Sequence, residues 1–124
     1  MISKVNEFAH WDRPTWDEVF MAMAGIISTM SPDQSTKLGA VIVDDNNHIV
    51  SCGFNGYPPD CDDDLIPKNR PDKYDYTEHA EANAINFRPI SVHGMRLYVT
   101  GHPCKDCFKT ILCNRIKEVI YDPT

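Results

Sequence analysis

The sequence lacks any apolar stretch long enough to cross a membrane, and its first residues have no apolar core of the kind that a secretory signal needs. We therefore expect a cytoplasmic protein without a membrane partner. Positive charge is also scarce, because 12 Lys and Arg residues face 18 Asp and Glu residues and leave a formal net charge of -6. A protein that binds DNA or RNA through phosphates needs the opposite balance, so the sequence predicts a small substrate and no nucleic-acid partner.

Cysteines are few and odd in number. The chain has five, and Cys104 and Cys107 form a Cys-x-x-Cys pair of the kind that binds metals. A framework of structural disulfides needs paired cysteines and an oxidising compartment, so the count and the expected cytoplasmic location argue against one.

The chain of 124 residues is long enough for one hydrophobic core, so residues 1–124 are predicted to form a single domain. Two apolar, β-branched runs at 38–43 and 49–54 are joined by the turn-forming residues 44–47, which predicts a hairpin. Strand and helix then alternate toward the end of the chain. This order is typical of an α/β fold with a mixed central sheet flanked by helices.

The predicted helices begin near Pro14, at His79 and at Cys104. Asp12 or Arg13 is expected to cap the first helix. Its apolar residues recur every three or four positions and predict a stripe that faces the sheet. The stripe consists of Trp16, Val19, Phe20, Met23, Ile26, Ile27 and Met30. Residues 1–12 are predicted to be a lead-in, and 55–77 a long acidic loop.

Three soft ligands stand at the starts of the second and third predicted helices. Cys104 and Cys107 fall on one face of a helical turn, and His79 opens the helix before it. One imidazole and two thiolates favour zinc over calcium or magnesium. A structural zinc is closed by four protein ligands, whereas a catalytic zinc keeps one position for water. The set therefore predicts a catalytic zinc, and the helix dipoles are expected to favour the thiolate form of both cysteines.

Glu81 is the candidate proton carrier of this site. Zinc lowers the pKa of bound water from about 15.7 to about 7, and a nearby carboxylate can take that proton and deliver it to the substrate. A His-x-Glu motif followed by Pro-Cys-x-x-Cys is the signature of the zinc nucleobase deaminases, which attack C4 of cytosine or C6 of adenine. The chain matches it at His79 to Glu81 and at Pro103 to Cys107.

Two other interpretations of the Cys-x-x-Cys pair stay open at this point. A pair that follows a strand and opens a helix also occurs in thioredoxin-like redox sites, where it cycles between dithiol and disulfide. A purely structural zinc is the other alternative, completed by Cys52, Cys61 or Cys113. The His-x-Glu motif favours the hydrolytic site over both.

Beyond the metal motifs, the sequence resembles the zinc-dependent deoxycytidylate (dCMP) deaminases of the cytidine deaminase-like superfamily. The resemblance extends from Trp16 to Tyr121 and is carried by the segments 31–43, 53–58, 61–63 and 97–100. It implies a three-layer α-β-α fold and hydrolysis of dCMP to dUMP and ammonia, which supplies dUMP for thymidylate synthesis. It also implies a homo-oligomer, commonly a hexamer, that dCTP activates and that dTTP inhibits together with Mg²⁺.

The resemblance also implies roles for individual residues. His79, Cys104 and Cys107 would bind zinc, and Glu81 would carry protons. The substrate pocket would contain the amide of Ala80, which meets the cytosine carbonyl, together with Asn55 and the backbone near Ala40 and Val41. A regulatory nucleotide would bind at Asp33, Thr36, Lys37, Asn55, Gly56 and Tyr57.

Two details refine what the resemblance implies. Some relatives carry additional histidines just before the His-x-Glu motif for a second zinc, but residues 73–77 contain none. One zinc per chain is therefore predicted. The alternative substrates are dCTP, free cytidine and a tRNA adenosine. The negative net charge argues against tRNA, and the loop around Asn55 argues against the free nucleoside.

Overall fold

The computed structural model of the chain describes residues 12–56 and 79–122. The order of elements predicted for these ranges is confirmed. The predicted lead-in, apart from its last residue, and most of the predicted loop at 55–77 lie outside the described residues. The elements are α1 (Trp16–Ser28), β1 (Gly39–Val43), β2 (Ile49–Phe54), α2 (Ala80–Asn86), β3 (Arg96–Val99), α3 (Lys105–Cys113) and β4 (Glu118–Tyr121).

The described strands form one mixed sheet in the order β2-β1-β3-β4. β1 pairs antiparallel with β2 and with β3, and β3 pairs parallel with β4. The predicted hairpin is confirmed, and Asp44 N donates to His48 O at 3.0 Å to close its turn. Parallel strands need a crossover connection, which α3 supplies between β3 and β4. The sheet therefore combines a hairpin with a strand-helix-strand unit.

Helices cover both faces of this sheet. Successive residues of a strand point to opposite faces, so alternate residues of β1 contact different helices. Ala40 and Ile42 of β1 pack in a buried cluster with α2 and α3. Val41 and Val43, which alternate with them, pack with Phe20 of α1 in a second cluster. The predicted three layers are therefore present, with α1 on one face and α2 and α3 on the other.

The start of α1 corrects the prediction that Asp12 or Arg13 caps it. Thr15 is the cap residue: Glu18 N donates to Thr15 Oγ1 at 3.1 Å, and Thr15 N donates to Glu18 Oε1 at 3.0 Å. This reciprocal pair is a capping box, and the Thr-x-x-Glu spacing is its signal in the sequence.

The apolar stripe of α1 is only partly buried, which also corrects the prediction. Phe20 and Ala24 are buried, whereas Trp16, Ile26 and Met30 are 54%, 67% and 66% exposed. The contact with the sheet follows the four-residue row through Phe20 and Ala24, and Ile26 lies off this row. Met30 lies beyond the helix, which ends at Ser28. None of the described helices is long and apolar enough to pass through a membrane.

Gly39 lies at a close approach between α1 and β1. A Cβ at this position would be 2.0 Å from Ala24 O and 2.7 Å from Ser28 N, which are backbone atoms of the helix. Gly39→Ala is expected to lower the free energy of unfolding by about 1 to 3 kcal/mol or more, because the helix must move. Urea unfolding measures this change.

Gly25→Ala is the matched control for this prediction. A Cβ at Gly25 meets nothing within 4 Å, and the residue lies inside α1, where alanine is favoured over glycine by up to about 1 kcal/mol. Gly25→Ala is therefore expected to raise the free energy of unfolding. A Gly39→Ala protein as stable as the wild type would show that the helix adjusts to the added methyl group at no cost.

Candidate metal centre

His79 and Cys104 occupy equivalent places, each as the N-cap residue of a helix. Both have extended backbone, with φ -77 and ψ 156 at His79 and φ -76 and ψ 172 at Cys104. Cys107 N donates to Cys104 Sγ at 3.4 Å, so the sulfur takes the place that a cap oxygen usually has. Because α2 and α3 lie against one another on one face of the sheet, the two helix starts meet.

The three predicted ligands converge as a zinc site requires. His79 Nδ1 lies 3.3 Å from Cys104 Sγ and 3.2 Å from Cys107 Sγ, and the three ligand atoms all lie within 4.8 Å of one another. A tetrahedral zinc with Zn–N near 2.0 Å and Zn–S near 2.3 Å separates its nitrogen and sulfur ligands by about 3.5 Å. The arrangement and the donor set of one nitrogen and two sulfurs therefore fit zinc.

In the described ranges, no fourth His, Cys, Asp or Glu belongs to the metal group. Cys52 and Cys113, two of the cysteines considered as a fourth ligand, are exposed and stand outside it. Cys61, the third, lies outside the described residues. The described part of the site thus has the three-ligand set that is typical of a catalytic zinc.

The surroundings of Cys107 oppose the thiolate form as long as no metal is bound. Burial and then the negative charge of Glu81 raise the pKa of the Cys107 thiol well above its usual range, so the metal-free thiol keeps its proton. Loss of hydration is the largest cause of this shift. A thiol that coordinates zinc is deprotonated, so binding of the metal must displace a proton from Cys107.

Glu81 and Ala80 occupy the first turn of α2, directly after His79. Glu81 is 3% exposed, and its negative charge raises the pKa of the neighbouring Cys107 thiol. A proton acceptor is thereby held beside the predicted metal ligands. Ala80 is buried, and as the first helical residue its amide has no partner within the helix. That amide can donate to a ligand.

The residues predicted to line the substrate pocket differ in their surroundings. Asn55 is 6% exposed; its Oδ1 accepts from Leu38 N at 2.7 Å, and its Nδ2 donates to Thr36 O at 2.9 Å. Counting only bonds between described residues, the amide keeps one N–H and one lone pair that a ligand could use. Ala40 packs on the face of the sheet that carries α2, whereas the Val41 side chain packs toward α1. Only the backbone of Val41 is therefore available on the metal side.

Three of the six residues predicted to bind a regulatory nucleotide, Asp33, Thr36 and Lys37, lie in the segment 31–38. Thr36 N donates to Asp33 Oδ1 at 2.9 Å, and Lys37 Nζ donates to Ser31 O. The side chains of Asp33 and Lys37 thus hold the backbone of the segment in place. Lys37 would have to break its bond to Ser31 O to bind a phosphate. The other three positions are Asn55, described above, Gly56, which is buried, and Tyr57, which lies outside the described residues.

Sequence reasoning did not single out Asn83, although it lies four residues after His79 on α2. Its Nδ2 donates to Phe54 O at 2.7 Å and joins the helix to the end of β2. The available signal was a polar residue among the alanines of a short helix, a pattern that also suits a solvent-exposed position.

Comparison with known families decides the class of the site. Residues 14–122 match the family model described as the cytidine and deoxycytidylate deaminase zinc-binding region. The chain belongs to the cytidine and deoxycytidylate deaminase family. This confirms the resemblance found in the sequence. Membership in a zinc-binding deaminase family, together with the converging ligands His79, Cys104 and Cys107, favours zinc over the redox interpretation.

Two relatives illustrate how much of the family this chain shares. It is 45% identical over 113 residues to the deoxycytidylate deaminase of Mus musculus, covering 86% of this chain and 64% of the relative. It is 40% identical over 130 residues to a probable deoxycytidylate deaminase of Drosophila melanogaster, covering 95% of this chain and 62% of the relative. The chain thus spans less than two thirds of the length of these deaminases.

A solved deaminase has the same fold. The dCMP deaminase of cyanophage S-TIM5 in its apo form has a TM-score of 0.73 and 30% identity, covering 89% of this chain and 84% of that chain. The same enzyme in complex with dCMP and dUMP has a TM-score of 0.71 at 30% identity, covering 90% of this chain and 83% of that chain. The predicted cytidine deaminase-like fold is therefore confirmed.

Proposed function

We propose that this chain catalyses the hydrolytic deamination of dCMP, which converts dCMP and water to dUMP and ammonia. The observation that carries the proposal is the convergence of His79 Nδ1 with the sulfurs of Cys104 and Cys107, beside the buried Glu81. The choice of dCMP is supported by the names of the relatives and by the complex of the S-TIM5 enzyme with dCMP and dUMP.

Glu81 moves both protons of the reaction in this proposal. Zinc held by His79, Cys104 and Cys107 supplies, when bound, a water that is acidic near neutral pH. Glu81 accepts a proton from the attacking water and gives it to N3 of cytosine, which makes C4 more electrophilic. It then transfers the second proton of that water to the amino group. The C4–N4 bond breaks, ammonia leaves, and C4 retains the new oxygen.

Other residues of the site hold the base and the sugar in the proposal. The Ala80 amide donates to the C2 carbonyl of cytosine, which is supported by its place at the first position of α2. Asn55 uses its remaining N–H and lone pair for the sugar. Ala40 and the backbone of Val41 form the floor of the pocket.

The regulatory part of the proposal extends the resemblance. We infer a cytoplasmic homohexamer that supplies dUMP for thymidylate synthesis and that dCTP activates and dTTP inhibits with Mg²⁺. The effectors would bind at Asp33, Thr36 and Lys37, next to Asn55, Gly56 and Tyr57. Support comes from Asn55, whose side chain bonds Thr36 O and Leu38 N. A change in the segment 31–38 would therefore reach Asn55 directly.

A substrate panel tests the proposed function. Ammonia release is measured for the zinc-loaded protein with dCMP, cytidine, dCTP and a tRNA anticodon stem, each with and without dCTP or dTTP and Mg²⁺. We expect kcat/KM for dCMP to exceed the other values by at least about tenfold, which corresponds to about 1.4 kcal/mol. Faster turnover of cytidine than of dCMP would overturn the choice of substrate. Sedimentation of the same samples tests the hexamer.

A further inference from the structure

The helix that carries Glu81 rests directly on β2. A Cβ at Gly53 would lie 2.6 Å from Ala84 N and 2.7 Å from Ala80 O, so the helix backbone touches the strand there. Two side chains also form hydrogen bonds between α2 and β2. Asn83 Nδ2 donates to Phe54 O at 2.7 Å, and Ser51 Oγ donates to Ala84 O at 2.6 Å. Only the first of these bonds reaches the end of β2 that leads into Asn55.

Asn55, the residue after Phe54, is hydrogen-bonded to the segment 31–38 through its backbone and its side chain. Asn55 N donates to Leu38 O at 3.2 Å, and Ser31 Oγ donates to Asn55 O at 2.6 Å. The Asn55 side chain adds its bonds to Leu38 and Thr36. The Phe54 carbonyl therefore connects two parts of the structure. Asn83 bonds it to α2, and the next residue, Asn55, is bonded to the segment 31–38.

The orientation of the Asn83 amide carries a cost. A carbonyl oxygen only accepts hydrogen bonds, so Phe54 O requires the nitrogen of the amide to face it. Asn83 Oδ1 is then buried, and it has no hydrogen-bond partner within the described ranges. A buried acceptor without a partner destabilises the fold. The bond to Phe54 O is thus the hydrogen bond that the Asn83 amide makes within the described ranges.

We propose that Asn83 is a positioning residue, whose bond to Phe54 O sets the separation between the Glu81 helix and the Asn55 end of β2. That a nucleoside lies between these elements rests on the proposed function. Loss of the bond leaves the metal ligands and Glu81 in place but loosens the Asn55 side of the pocket. Substrate binding then weakens more than the chemical step.

The first test compares kinetics for Asn83→Ala and Ser51→Ala. Asn83→Ala is expected to raise KM for dCMP by about 3- to 10-fold, the range that one hydrogen bond supports. Its kcat should change by less than about twofold, and its zinc content should not change. Ser51→Ala removes the other bond between α2 and β2 and is expected to lower the Tm without changing KM. Loss of zinc from Asn83→Ala, or equal rises in KM for both variants, would overturn the proposal.

The second test needs no substrate. Hydrogen exchange of the Leu38 and Asn55 amides is measured in the zinc-loaded protein without nucleotide. Both amides should exchange faster in Asn83→Ala than in wild type and should be unaffected in Ser51→Ala. Unchanged exchange in Asn83→Ala would overturn the positioning role. A wild-type protein that is inactive on dCMP would overturn the proposed function, while the exchange result still decides the role of Asn83.

A second variant of similar shape tests the proposal if Asn83→Ala does not fold. If Asn83→Ala does not yield folded protein, Asn83→Leu keeps nearly the shape of the side chain and has no hydrogen-bond donor. The same rise in KM and the same faster exchange at Leu38 and Asn55 are expected for it. Wild-type values for this variant would overturn the proposal, because the donor would then not matter.

Discussion

Glu81→Gln protein is expected to keep its zinc and to lose dCMP turnover by a factor of about 10² to 10⁴, the range that general acid–base catalysis supplies. Gln has nearly the shape of Glu, so the buried first turn of α2 is retained. The negative charge of Glu81 contributes to the raised pKa of Cys107. Its removal lowers that pKa, and zinc affinity at neutral pH should rise or stay constant. Steady-state ammonia release and zinc titration measure the two effects.

Glu118→Gln is the matched control, because it makes the same chemical change at an exposed residue at the start of β4. Its kinetics and its zinc content should equal those of the wild type. A Glu81→Gln protein that retains more than about a tenth of the wild-type rate would remove the carboxylate from the mechanism. A Glu81→Gln protein without zinc would show that Glu81 supports the metal and not the proton transfers.

Cys107→Ser is expected to abolish both zinc binding and turnover. Cys107 Sγ is one of the three atoms that converge on the site, and a hydroxyl is a poor substitute for a thiolate ligand. Any ligand that binds only the folded state stabilises it, by about 2.7 kcal/mol at 100 times its Kd. Removal of zinc by a chelator should therefore lower the Tm of the wild type and leave the Tm of Cys107→Ser unchanged.

Cys113→Ser provides the control on the same helix. Cys113 is exposed and lies outside the metal group, so its zinc content, Tm response and activity should match the wild type. A Cys107→Ser protein that still binds stoichiometric zinc would refute the three-ligand site. A wild-type protein that contains no zinc but reduces disulfides would instead restore the Cys-x-x-Cys redox interpretation.

Local signals in the sequence predicted the elements that carry the metal site. The β-branched runs at 38–43 and 49–54 gave the hairpin because strand formation there depends on residues that pack well on a pleated surface. His79 and Cys104 were placed at helix starts, where the structure has them as cap residues. The cap at Thr15 was missed although its partner Glu18 stands at the required spacing.

What depends on tertiary contact could not be predicted in the same way. Ile26 and Met30 continue the apolar periodicity of the sequence, but periodicity reveals neither how wide the contact with the sheet is nor that α1 ends at Ser28, before Met30. The thiol of Cys107 stays protonated without metal because of its burial and of Glu81, and burial is a property of the folded chain. A glycine within a strand often marks a close backbone approach, but the contact of Gly53 with α2 was not predicted from the sequence.

The position of β1 in the middle of the sheet has a consequence for the order in which the protein assembles. Ala40 pairs with Gly53 in the hairpin and with Val99 near the far end of the chain, so the sheet closes only after β3 has been synthesised. His79 belongs to the helix that rests on the hairpin, whereas both cysteines belong to the unit built by β3, α3 and β4. Long-range closure of this kind is slow. The three metal-ligand positions can therefore come together only after β3 and α3 have joined the hairpin and α2.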